Sequence, residues 1–147
     1  MRAAILAWCC VGAVVVSAQS AKTFRARLAP VPIDVAMQTT VAGSGTATGT
    51  LNAATLTITG TFEGLKSPAT IAQLHKSPIA GVRGPVVADL SVAPSGDGTA
   101  GTIRGTVTLT AQQVTDLEKK RLYVQVHSEK APEGNLWGWL VPLENKK

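Results

Sequence analysis

The stretch TLTITGTFE, residues 55–63, alternates without a slip. In an extended chain Leu56, Ile58, Gly60 and Phe62 fall on one face, and Thr57, Thr59 and Thr61 on the other. A helix would scatter these apolar residues around its circumference; a strand with one dry and one wet face sorts them. Threonine set between aliphatics is also what a half-buried sheet prefers. The preceding TATGTLN leads into it through a turn near Asn52 and Ala53, so the two segments read as a hairpin.

The same period governs most of the chain. TFRARL puts Phe24, Ala26 and Leu28 on one face and Arg25 and Arg27 on the other, as in an edge or half-exposed strand. TIAQLH and PVVADLSV are further strands, separated by the long loop KSPIAGVRG. APSGDGTAG is a turn built on Gly96 and Gly98, and TIRGTVTLT aligns Ile103, Gly105, Val107 and Leu109. LYVQVH and GNLWGWL close the pattern. One segment breaks it. In TAQQVTDLEKKR, Thr110 stands three residues before Gln113, the capping-box spacing, and Val114 and Leu117 are helical neighbours. This predicts one short helix running into the basic group Lys119, Lys120 and Arg121, whose charge complements the helix dipole.

About eight short strands and one short helix predict an all-β, antiparallel Greek-key sandwich or barrel over residues 23–141, with 142–147 a polar tail. A chain of 147 residues suits one core. Charged residues make up only 16% against 45% hydrophobic, which excludes a disordered chain. The net charge of +5 is scattered rather than gathered on one face, which argues against a nucleic-acid partner.

Ahead of these strands, MR is followed by the apolar run AAILAWCCVGAVVV and the small-residue exit SAQS. That is the layout of an export signal over residues 1–18, with cleavage between Ala18 and Gln19. A retained membrane anchor is the rival, although the run is shorter than the roughly 20 residues a spanning helix needs. Trp8 before Cys9 argues against lipidation. Cys9 and Cys10 both lie in this segment, so a cleaved domain would hold together by packing alone. The expected location is periplasmic or extracellular, free or tethered at the outer face of the cytoplasmic membrane.

Four stretches in order, TGTLNAATLTITGTFEGL, GVRGPVVADL, GTVTLTAQQVTDL and YVQVHSEKAPEGNLWGWL, resemble the CHRD (chordin-type) family of exported bacterial proteins from about Phe24 to Leu140. The resemblance implies a Greek-key β fold related in outline to copper–zinc superoxide dismutases, and little about activity. It also marks departures. Where members commonly carry His-x-His, this chain has Gln73 and His75; His127 matches a third histidine; and Asn135 and Trp137 replace an acid and an arginine.

Two candidate sites follow. Gln73 and His75 share one strand face, and His127 shares another with Tyr123 and Gln125. Were these strands to meet, His75 and His127 could hold copper or zinc, weakly unless Asp89 or Glu133 supplied a third ligand. The simpler expectation is two histidines bonded to loop backbone. On the last strand Leu136, Gly138 and Leu140 suit the core, leaving Asn135, Trp137 and Trp139 outward on a face the family resemblance implies to be polar. Two large rings there call for a cover, either a protein partner or the chain itself. GSGTATG lacks the lysine and helix of a phosphate loop. No serine–histidine–acid or paired-carboxylate pattern stands out, so no catalytic residue is expected.

The functional expectation is therefore a non-enzymatic exported β-domain. It would bind a protein partner, as an accessory or structural subunit bracing a membrane complex. The alternative is a copper- or zinc-binding or redox domain using His75 and His127.

Overall fold

The computed structural model describes residues 20–30 and 34–143. The signal or anchor expected over 1–18, with its Ala18–Gln19 cleavage point, and the end of the polar tail lie outside the described residues.

The strands are β1 (Lys22–Pro30), β2 (Ser44–Asn52), β3 (Thr55–Glu63), β4 (Ala69–Lys76), β5 (Val86–Ser95), β6 (Ala100–Thr108), β7 (Leu122–Ser128), β8 (Ala131–Trp139) and the two-residue β9 (Val141–Pro142). A single α-helix, α1 (Ala111–Glu118), sits between β6 and β7. All strand pairs are antiparallel. Their order is β2-β3-β6-β5-β4-β7-β8-β1, and β1 pairs again with β2, closing an eight-stranded barrel. The pairings β3–β6 and β4–β7 skip over intervening strands, which gives the Greek-key connectivity.

Two strands turn the corners. β5 pairs with β4 through Leu90 and with β6 from Ser91 onward. β1 pairs with β2 over Lys22–Leu28, then places Ala29 and Pro30 opposite Trp137 and Leu136 of β8. A strand that changes partner in this way closes a sheet and removes its edges. β1 is thus half-exposed, as its alternation implies, but it is not an edge: Phe24, Ala26 and Leu28 are buried and Arg25 and Arg27 exposed.

The hairpin of β2 and β3 has full register from Ser44↔Glu63 to Asn52↔Thr55. The inward residues of β1 to β8 meet in one core that includes Phe24, Leu28, Leu56, Ile58, Leu74, Ile103, Val124 and Leu136. The capping box of α1 is formed in both directions: Gln113 N donates to Thr110 Oγ1 at 3.2 Å and Thr110 N to Gln113 Oε1 at 2.8 Å. α1 ends at Glu118, so the basic group begins after its last turn. Lys119 and Lys120 are exposed, while Arg121 reaches back to Asp116 at 3.5 Å. That buried carboxylate also pairs with Lys76 at 2.9 Å, stitching α1 to the end of β4. Lys76 first, and Arg121 with it, holds Asp116 below the usual carboxylate range.

Candidate functional site

β7 is buried along its whole length, on the outward face as well as the inward one. Something must therefore cover the outside of the barrel where β4, β7 and β8 lie side by side. Strand register shows what does. Tyr123 stands between His75 of β4 and Trp139 of β8, and Gln125 stands between Gln73 and Trp137. The rings stack across these rows. Tyr123 lies 4.9 Å from His75 at 16° and 5.5 Å from Trp137 at 6°. Trp139 tilts against Tyr123 at 5.0 Å. Offset and tilted ring pairs at these separations are attractive beyond the area they bury. Trp137 is only 3% exposed, and Trp139 is half-buried. Trp137 is thus covered by the chain itself, and Trp139 in part.

The cover is completed by the loop from Ser77 to Pro85. Its ends are fixed by Ser77 N donating to Arg121 O at 2.7 Å and Lys76 N to Pro85 O at 2.9 Å. Gly84 N donates to the Tyr123 hydroxyl at 3.2 Å, and Trp139 Nε1 donates to Ser77 Oγ at 3.2 Å. Ser77 Oγ in turn donates to Val82 O. Only glycine fits at position 84, because a Cβ there would stand 1.7 Å from Lys76 O. Arg83 spans the far side. Its guanidinium lies 5.2 Å from the Trp137 ring centre and donates to Glu133 O at 3.1 Å.

Sequence reasoning brought His75 and His127 together on condition that their strands met, and β4 and β7 do pair. The ring centres are 6.3 Å apart. The β4–β5 register shifts between Leu74 and His75, with Val87 of β5 as the extra residue, while the β4–β7 register runs unbroken through His75. Each imidazole meets a backbone carbonyl through Nδ1: His75 with Gly84 O of the loop at 3.0 Å and His127 with Pro132 O of β8 at 2.7 Å. Burial, first, pushes the His75 pKa below its ordinary value, and His127 and Arg83 add to that. Burial raises Tyr123.

The two carboxylates considered as third ligands are engaged elsewhere. Asp89 accepts from Gln73 Nε2 at 2.7 Å, and Glu133 pairs with Arg83 at 3.3 Å. Among the described residues no group of three or more histidine, cysteine, aspartate or glutamate side chains could hold a metal ion.

Asn135, expected beside the tryptophans, has its side-chain amide hydrogen-bonded through both oxygen and nitrogen. It is fully buried, accepting from Ala42 N at 3.0 Å and donating to Ser128 Oγ at 3.0 Å. The β7–β8 register shifts between Val126 and Ser128, and Gly134 takes a φ of +122° just before Asn135. Tyr123 as the centre of the stack, Gln125 beneath it and Arg83 across it were not singled out by sequence reasoning. One signal was available: LYVQVH puts three large or polar residues on a face that, in a simple exported barrel, would be wet.

A family model described as CHRD domain matches residues 24–140. No curated protein and no solved structure matches the chain.

Proposed function

The chain belongs to the CHRD family, a non-catalytic domain family whose members are generally extracellular or secreted, and on that premise we propose that it is an exported binding subunit that docks a protein partner through the Ser77–Pro85 loop. One observation carries this reading. Ile79 is 68% exposed and Val82 48%, on a loop whose ends and flanks are fixed to the aromatic cluster. Val86, just beyond it, is 48% exposed as well. Large aliphatic side chains held outward by a rigid support suit docking, because little freedom is lost on binding. In this reading Trp137 and Trp139 are the support, and the loop they carry is the contact. The apolar N-terminal sequence supports export, with the partner in or at the outer face of a membrane complex.

The test replaces Ile79 and Val82 together by aspartate. Both side chains point into water, so the melting temperature should hold to within about 0.5 kcal/mol of stability, while co-purification with the partner is lost. Undiminished co-purification would remove the loop as the docking surface. Intact mass then places the subunit: a chain starting at Gln19 in soluble extract means a free domain, and one starting at Met1 in membranes means a tethered one.

A further inference from the structure

Among the described residues, four buried polar side-chain atoms outside the Asp116 ion pair have no partner, and all four belong to the cluster under the loop: His75 Nε2, His127 Nε2, Gln125 Oε1 and Trp137 Nε1. Their protons can be assigned. A carbonyl only accepts, so Nδ1 of His75 and of His127 must carry hydrogen toward Gly84 O and Pro132 O. In the neutral rings each Nε2 is then a bare lone pair. Gln125 is oriented in the same way, because its Nε2 donates to Glu133 O at 2.7 Å, which leaves Oε1 as an acceptor. Three backbone carbonyls thus hold three lone-pair donors, while the fourth atom, Trp137 Nε1, carries hydrogen and is not a ligand. A ligating histidine that gives its other N–H to a carbonyl is the usual outer support of a metal site.

The three also lie together. His75 pairs with Tyr123, four residues along β7 from His127, a distance of about 13 Å at strand rise. Yet the two ring centres are 6.3 Å apart, so the side chains lean toward each other over the row that Gln125 occupies. With metal–nitrogen bonds of about 2 Å, two imidazoles sharing an ion have centres about 5 Å apart at a tetrahedral angle and roughly 6 Å apart in line. The observed 6.3 Å leaves room for an ion held in line between the two rings.

We propose that His75, His127 and Gln125 form a low-coordinate site for one monovalent copper ion, held mainly by the two Nε2 atoms with Gln125 Oε1 as a weaker third donor. The surroundings choose the charge. The walls are Tyr123 and Trp137, the Arg83 cation lies against Trp137, and the carboxylate of Glu133 is already paired with it. The cost of placing an ion among such walls rises with the square of its charge, so a divalent ion pays about four times as much as a monovalent one. Imidazole suits copper, and a closed-shell monovalent ion tolerates two ligands in line where zinc asks for four. The two histidines are 7% and 9% exposed, so the site lies just beneath the surface.

The test is an anaerobic titration of the full chain, carrying Cys9→Ser and Cys10→Ser, with monovalent copper against a colorimetric copper chelator, and with zinc in parallel. One copper per chain is expected, with quenching of tryptophan fluorescence and at least tenfold weaker zinc binding. His75→Ala and His127→Ala should each weaken copper at least tenfold, and Gln125→Leu a few-fold. Equal copper retention by the wild type and a folded double-histidine variant, or tighter zinc than copper, would overturn the assignment. Should the variants fail to fold, X-ray absorption of the copper-loaded unmutated-histidine protein decides it. Two imidazole nitrogen neighbours support the site, and sulfur neighbours or a four-coordinate shell refute it.

Discussion

Replacing Trp137 by alanine should cost the barrel about 3–5 kcal/mol, the range for emptying a buried aromatic site. The ring is 3% exposed, is stacked on Tyr123 at 5.5 Å and lies under the Arg83 guanidinium at 5.2 Å. A tryptophan buries about 150–250 Å², which at roughly 25 cal/mol per Å² is about 4–6 kcal/mol. That figure is an upper bound, since the unfolded chain already hides part of the ring. The hole would stay open, because the loop above it is fixed by hydrogen bonds of Gly84 and Ser77 to other residues. For a domain of this size each kcal/mol moves the melting temperature by roughly 4 °C, so a drop of about 12–20 °C is expected. Trp139→Ala should cost about half as much, because the ring is only half-buried and loses one hydrogen bond to Ser77. Thermal unfolding followed by circular dichroism is the assay. A drop under about 4 °C for Trp137→Ala would refute the reasoning: the ring would then be a surface anchor, as the outward face of its strand first suggests.

Three further outcomes are expected. Asp116→Asn should flatten the acid limb of stability. The folded carboxyl lies below its unfolded pKa, so its contribution is present above about pH 4 and is lost as pH falls through the folded value. The loss at neutral pH should be about 1–2 kcal/mol, since Lys76 and Arg121 are each more than a third exposed and water replaces much of the pairing; an unchanged pH profile counts against the ion pair. Gly84→Ala should lift the loop off the cluster, red-shift tryptophan emission and cost about 1–3 kcal/mol; an unshifted spectrum would mean the backbone approach to Lys76 O is not needed. Thr110→Ala should remove about 1 kcal/mol by leaving Gln113 N without its cap, read by urea midpoint.

The sequence alone determined the local features. Alternation sorted the strands into dry and wet faces, Asn52 and Ala53 marked the hairpin turn, and Thr110 with Gln113 announced the helix start. Each depends on residues a few positions apart, so the signal survives in a linear reading. Much of the candidate site did not. That β1 and β5 change partners, that β4 sets His75 against Tyr123 of β7, and that residues 77–85 fold back over Tyr123 all follow from which strands close the barrel. The outward placement of Trp137 was legible; its burial was not, since the covering residues come from β4, β7 and a loop more than fifty positions earlier in the chain. The physical reason is that periodicity records which face a side chain takes, while burial depends on what long-range pairing brings against that face.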